Sequence, residues 1–343
     1  MDQRDSEPRD STPAQSAQAH DTLLSIVVPA YNEEEVLQQF HERVAAVLAD
    51  LDCDAEILFV DDGSKDGTVR VIEELRSTDP RVALIALSRN FGKELAMTAG
   101  LDNARGDAVV VIDADLQDPP EIIPELIQRW REGYDVVYAR RESRAGESWI
   151  KRATAHAFYR VMQRVTRVEI PPDTGDFRLL SRRAVDALRQ LREQHRFMKG
   201  LFAWIGYPQT AVYYQRDPRA AGTTKWNYWR LWNFALEGLT SFTTAPLQVA
   251  TYLGLFTAFG AFLYGLWIIV NTLLFGNPVP GYPSLLTVIL FLGGIQLMTL
   301  GVIGEYLGRT FNEVKARPLY FIKTQLPRMR DVSARIPPDE ESR

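Results

Sequence analysis

Cysteine is almost absent. Cys53 stands alone, which excludes an internal disulfide and any cysteine-cluster metal site. Histidine is scarce, and His20, His41, His156 and His195 show no metal-ligand spacing. Neither a Walker A sequence nor a dinucleotide-binding glycine fingerprint occurs, which argues against an NTPase or a dehydrogenase. Positive charge is not in excess. A net charge of -5 and a pI of about 5.6 carry no general nucleic-acid signature, and no nucleic-acid partner is expected. Residues 1 to about 21 are rich in Asp, Arg, Ser, Gln and Pro and lack an apolar core. They read as a disordered tail and not as a signal peptide, so the polar part of the chain is expected in the cytoplasm.

Present instead are short apolar runs that each end in a polar loop. Leu24 to Val28 leads into Pro29-Ala30-Tyr31-Asn32-Glu33, and Ile57 to Val60 into Asp61-Asp62-Gly63-Ser64-Lys65-Asp66-Gly67-Thr68. Ala83 to Leu87 precedes Ser88 to Lys93, and Asp107 to Ile112 precedes Asp113-Ala114-Asp115-Leu116-Gln117-Asp118-Pro119-Pro120. Such runs read as strands of a parallel sheet. Helices are expected from about Glu34 and, capped by Asp66, from near Gly67. The alternation predicts an α/β, doubly wound, mostly parallel sheet with its loops gathered at the carboxyl edge, where open sheets bind ligands. There Asp113 and Asp115, two residues apart, offer hard oxygens for Mg²⁺ or Mn²⁺, whose shell substrate phosphates complete. An isolated D-x-D also marks a plain surface turn; the neighbouring loops favour the metal site.

Toward the carboxyl end, Leu247 to Phe275 and Leu285 to Ile303 carry no charged residue. Each is long enough to cross about 30 Å of hydrocarbon at about 1.5 Å per residue; a pair of buried core helices is the alternative. The connector Gly276 to Ser284 contains no Lys or Arg, whereas Arg309, Lys315, Arg317, Lys323, Arg328 and Arg330 follow the second run. That bias places the connector outside and both flanks inside. Trp226, Trp229 and Trp232 recur beside Lys225 and Arg230, the pattern of a helix lying at a membrane interface, with a core helix as the alternative.

P-A-Y-N-E from Pro29, V-D-D-G-S-x-D-G-T from Val60 and D-A-D-L-Q-D-P-P from Asp113 occur in this order. Together they resemble family 2 glycosyltransferases with the GT-A fold. The resemblance is strongest to polyprenyl-phosphate glycosyltransferases, a group that includes dolichol-phosphate mannose synthases and bactoprenol glucosyltransferases, and runs from about Leu24 to about Arg317. It implies a tail over 1–21, a GT-A catalytic domain over 22–222 and interfacial helices over 223–245. A two-span hairpin over 246–308 and a cytoplasmic basic segment and tail over 309–343 follow. Pro29, Tyr31 and Glu33 are then expected to line the base and ribose pocket, with Asp61 or Asp62 on the base or ribose. Asp113 and Asp115 hold the cation, and Gln117 is either a neutral ligand or a turn residue. Lys93, after Gly92 at a helix start, is a donor-phosphate candidate or a surface lysine.

The segment Asp173-Thr174-Gly175-Asp176-Phe177-Arg178-Leu179 is similar to one beside the acceptor in the glucosyltransferases of this group. Asp176, with Asp115, is the catalytic candidate, and Asp173 a turn or cap residue. Arg178 is a candidate for acceptor phosphate or for a structural ion pair. An alcohol acceptor needs a general base, whereas a lipid phosphate, with a second pKa of about 6, does not. Asp176 is therefore either a base or an orienting group. Arg216 to Trp226 resembles the family's R-x-x-G-x-[ST]-K-[YW] loop, where Arg219 and Lys225 flank a glycine hinge. Those two and Arg140 are candidates for phosphate, or for lipid head groups.

The resemblance implies an inverting, metal-dependent transfer of one sugar from a nucleotide diphosphate sugar to undecaprenyl phosphate. UDP-glucose is favoured by Gly175 to Leu180 and Arg196 to Leu201; GDP-mannose and UDP-aminoarabinose derivatives are the rivals. A processive synthase is disfavoured, because Gln128-Arg129-Trp130 lacks Q-x-x-R-W spacing. A non-catalytic membrane scaffold would not need the carboxylate motifs. The expected setting is the plasma membrane, multi-pass, with both termini cytoplasmic and room for a homo-oligomer.

Overall fold

A computed structural model describes residues 22–141, 174–194, 196–215, 245–275, 281–329 and 331. The expectations placed on both tails, His20, His156, His195, Asp173, Arg219, Lys225, the three tryptophans and most of the connector lie outside the described residues. Strands β1 (Leu23–Ala30), β2 (Asp54–Asp61), β3 (Val82–Leu87) and β4 (Ala108–Val111) run parallel. With β5 (Val136–Arg141), β6 (Thr174–Ser181), β7 (Gln209–Tyr214) and β8 (Ile322–Leu326) they form one sheet, ordered β7-β5-β6-β4-β1-β2-β3-β8. Only β6 and β8 oppose the rest, as the mostly parallel expectation requires.

Helices α1 (Leu37–Ala49), α2 (Thr68–Thr78) and α4 (Ile123–Arg131) cover one face. α3 (Lys93–Asn103), α5 (Arg182–Gln190) and α6 (Met198–Trp204) cover the other. α1 shows why: Leu37, Phe40, His41, Val44 and Leu48 fall on one stripe and are buried. Phe40 meets Phe59 of β2 edge-on, with ring centroids 6.3 Å apart. Each such buried side chain contributes about 1.5–3 kcal/mol. α5 starts at a true cap, since Ser181 Oγ accepts from the Ala184 amide at 3.2 Å.

Helices α7 (Ala245–Phe275) and α8 (Tyr282–Val314) pack against each other and leave large apolar side chains outward, Phe256 at 78% and Leu273 at 80% exposure. Both contain stretches long and apolar enough to cross a membrane, Leu247–Phe275 and Phe291–Val314. The helix of the second span contains the whole expected Leu285 to Ile303 stretch and continues to Val314. It runs on because Arg309 pairs with Glu305 one turn back at 3.0 Å, which carries polar residues within the helix.

The segment after α8, expected as a basic segment and tail, carries a strand. It returns to the sheet, where β8 pairs antiparallel with β3 and covers an edge that would otherwise expose unpaired N–H and C=O groups. The sheet therefore extends beyond the boundary drawn at residue 222. At the amino edge Ser25 lies opposite Glu56, and its Oγ donates to Glu56 Oε1 at 2.5 Å. Glu56 also accepts from the Arg105 amide and guanidinium, both at 2.9 Å, and Arg105 reaches Asp331 beyond β8.

Candidate functional site

Four parallel strands deliver four loops to the carboxyl edge, and β6, being antiparallel, starts there. The first two loops are laced together. The Asn32 amide donates to Ser64 Oγ at 2.9 Å, the Lys65 amide to Asn32 Oδ1 at 2.8 Å, and the Glu33 amide to Thr68 Oγ1 at 2.9 Å. Asn32 sits at φ 56°, a conformation asparagine tolerates. Tyr31 is 40% exposed and offers a ring face at the rim. Pro29 is buried within β1 and so underlies the expected pocket.

The two aspartates of the second loop are both buried and both engaged by backbone. Asp61 accepts from the amides of Gly63 and Ser64, an Asx turn. Asp62 accepts from Phe91 N at 2.7 Å and Gly92 N at 2.8 Å, so it holds the third loop against the second. Both expected nucleotide contacts, Asp61 and Asp62, thus also brace the loops through backbone amides. Burial raises the pKa of Asp62, against its two amides. Gly63 is required at this joint: at φ 70°, a Cβ would stand 2.5 Å from the Arg89 carbonyl carbon. Gly92, at φ 101°, then turns the chain into α3.

Lys93, the first residue of α3, is the hub. Its Nζ lies 2.7 Å from Asp113 Oδ2, after β4, and 2.5 Å from Asp176 Oδ2, in β6. Burial opposes the charge on Lys93, but the two carboxylates hold its pKa above the ordinary lysine value. Burial likewise works against Asp176, yet Lys93, Lys199 and Arg178 keep its carboxyl well below the usual range. Asp113 is pushed up, by burial and by the Asp176 charge. The second oxygen of Asp176, Oδ1, is buried without a partner.

Two residues joined to this cluster went unassigned from sequence. Glu94 accepts from the Met198 amide at 3.2 Å, and burial together with Asp176 raises its pKa to about 7. Lys199 adds positive charge to both carboxylates. The signal was adjacency: Glu94 follows Lys93, and Lys199 lies in the Arg196 to Leu201 stretch. Arg178 is buried, donates to the Gly175 carbonyl at 2.8 Å and stacks on Phe202 at 3.8 Å; burial lowers its pKa to about 10. Arg140, at the far end of β5, sits 5.7 Å over the Tyr213 ring.

The D-x-D loop itself is strained. Leu116 is buried at φ 59°, left-handed for a branched side chain, and the Gln117 amide folds back on Asp115 Oδ1 at 3.2 Å. Among the described residues, no three His, Cys, Asp or Glu side chains form a metal cage. A divalent cation here would take Asp113 and Asp115, two hard-oxygen ligands of the kind that Mg²⁺ binds alongside substrate phosphates. The residues fit such an ion. Their donors are hard oxygens, the Lys93 ammonium already rests on Asp113, and the nearby Asp176 oxygen lacks a partner.

Residues 25–189 match the description Glycosyl transferase family 2, and residues 245–310 match GtrB C-terminal hairpin. The chain is 56% identical to Uncharacterized glycosyltransferase sll0501 of Synechocystis over 87% of its length and 94% of that protein. It is 51% identical to the SfII prophage-derived bactoprenol glucosyl transferase of Shigella flexneri, over 88% of its length and 97% of that protein. Among solved structures it is similar to mannosyl-3-phosphoglycerate synthase from Rubrobacter xylanophilus, at 19% identity and a TM-score of 0.44, over 63% of this chain and 71% of that one.

Proposed function

The chain belongs to glycosyl transferase family 2 and is a glycosyltransferase, and on that premise we propose that it moves one glucose from UDP-glucose to a polyprenyl phosphate, with inversion, at the inner face of a membrane. The observation that carries this reading is the Lys93 ammonium, shared between Asp113 and Asp176. It joins the carboxylate after β4, assigned to the donor diphosphate, to the carboxylate at the start of β6, assigned to the acceptor. The acceptor class is supported by the bactoprenol glucosyl transferases that are about 50% identical over nearly their full length.

In the proposed step an acceptor phosphate oxygen bonds to the anomeric carbon as the bond to the diphosphate oxygen breaks. The electron pair leaves on the nucleotide diphosphate. A bound Mg²⁺ or Mn²⁺, on Asp113 and Asp115 with Gln117 nearby, supplies charge neutralisation to that leaving group. Lys93 adds a fixed positive charge on the same side. A phosphate acceptor arrives largely deprotonated. Asp176, held well below the usual carboxylate range, is a poor proton acceptor, which supports an orienting role over that of general base. Tyr31, Glu33 and Asp61 frame the base and ribose. Arg140, with Arg219 and Lys225, meets the acceptor phosphate, while Arg178 stiffens the start of β6.

α7 and α8 are taken to cross the bilayer as a hairpin. The chain from Val314 rejoins the sheet at Ile322, which supports placing the end of α8 on the side of the active site. The deciding experiment incubates membranes carrying the protein with undecaprenyl phosphate and each labelled nucleotide sugar. Labelled lipid from UDP-glucose, lost in excess chelator, is expected; label only from another donor, or none in the lipid, overturns the reading. For orientation, Val279→Cys should react with an impermeant thiol reagent in intact cells while Cys53 does not; the reverse pattern inverts the topology.

A further inference from the structure

The end of α8 and the segment after it are fastened at points from Glu313 to Asp331. α8 stops where Ala316 turns left-handed at φ 46°, with the Ala316 amide on the Glu313 carbonyl. Gln194, just ahead of α6, grips this turn from both sides. Its amide donates to Glu313 Oε1 at 2.8 Å and its side chain to the Arg317 carbonyl at 2.5 Å. Leu319 is buried, and Tyr320 Oη donates to Asp102 Oδ2 at 2.8 Å. The Ser88 amide donates to the Phe321 carbonyl at 2.9 Å, and Leu84 to Leu87 pair with Ile322 to Leu326. Gln325 donates to Asn103 Oδ1 at 3.2 Å. Arg76 binds the Pro327 carbonyl at 2.8 Å, and Arg328 pairs with Asp54 at 3.0 Å and with Asp331 at 2.9 Å.

Two of these contacts, through Tyr320 and Gln325, reach one helix. Asp102 and Asn103 form the last turn of α3, and Ser88 opens the loop that leads into its first residue, Lys93. The strap therefore holds the last turn of α3 and the loop that leads into its start, and through Gln194 it also touches the approach to α6, whose Met198 amide binds Glu94. A flexible tether would show none of these partners. We propose that residues 315–331 act as a rigid strap that transmits the position of the membrane hairpin to α3 and so sets Lys93 relative to a lipid-borne acceptor. The proposal rests on the reading of α7 and α8 as bilayer spans. Within it Tyr320, Gln194 and Ser88 are positioning groups that act through Lys93.

The test uses full-length protein in lipid nanodiscs, with Cys53→Ser and spin labels at Gln190→Cys on α5 and Val314→Cys at the end of α8. The comparison variant carries Gly-Ser-Gly-Ser inserted between Arg317 and Pro318, which leaves β8 and every residue of the site in the sequence. A narrow label-to-label distance distribution, broadened by the insertion, is expected. Alongside it, kcat for lipid transfer should fall at least tenfold while UDP-glucose affinity, by calorimetry, stays within twofold. A broad distribution before insertion, or lipid transfer kept within twofold after it, overturns the strap. Absence of lipid transfer in the uninserted protein would instead refute the proposed reaction, and the distance distributions would still decide whether the strap is rigid.

Discussion

At the amino edge of the sheet, Glu56 meets Ser25, the Arg105 amide and the Arg105 guanidinium, and both its oxygens are answered. At the carboxyl edge, Asp176 has one oxygen on Lys93 and the other buried with no partner. Both edges pair a largely buried carboxylate with a cation. They differ in backbone as well: on the carboxyl side the non-glycine residues Asn32 and Leu116 take positive φ, whereas on the amino side glycines, Gly133 and Gly206, do so. A saturated cluster in relaxed backbone stabilises a fold. An unsaturated cluster on strained loops is stable only in a scaffold that enforces it, and it retains binding capacity for something else.

The comparison breaks if substitutions at the two edges have the same effects. The largest effect is expected at the D-x-D. Asp115→Asn should lower transfer about 10²–10³-fold, comparable to losing one transition-state contact, while the denaturation midpoint barely moves. Full transfer by this variant would remove the cation from the mechanism. Next, Asp176→Ala should lower transfer by about 10²-fold and keep nucleotide affinity, measured by calorimetry. Lost nucleotide binding would move Asp176 to the donor side. At the other edge, Glu56→Ala should destabilise the chain by about 2–3 kcal/mol, since it strands Ser25 and Arg105, with turnover per folded molecule unchanged.

The smallest effect sharpens the amino edge further. Burial works against the charge on Asp79, but hydrogen bonds from Arg81 and His41 hold its pKa at about 2, below an ordinary 3.8. A depressed carboxylate contributes stability above its unfolded pKa and loses it as pH falls through the folded one. The contribution, about 2 kcal/mol, should be complete at pH 5 and vanish toward pH 2. Denaturation of the protein and of Asp79→Asn across that range should converge at low pH; a constant gap would show that Asp79 acts without its charge.

The sequence revealed what local pattern governs. The parallel strands, their loops and the places of Asp113 and Asp115 at the carboxyl edge were legible because apolar runs and turn residues lie side by side in the chain. The position of Lys93 between two carboxylates was not. Asp176 was legible as a motif, but its approach to Asp113 depends on β6 running antiparallel beside β4, which no local pattern states. Glu94 and Lys199 were missed because their roles arise from charge brought together by α3 and α6. The bracing role of Asp62 was not legible, because its two amide partners lie about thirty residues away, in the third loop. β8 was invisible: Ile322-Lys323-Thr324-Gln325-Leu326 is mostly polar and exposed, and only the open edge of β3 makes it a strand.

The place of β8 in the chain also sets an order of events during synthesis. Seven strands of the sheet are made before α7 and α8, and the eighth only after them. The edge of β3 stays bare until both long helices have left the ribosome, and a bare edge invites pairing with other chains. Completion of the sheet thus marks a chain whose hairpin has already been made, and a chain cut short within α8 keeps all its loop motifs but leaves that edge uncovered.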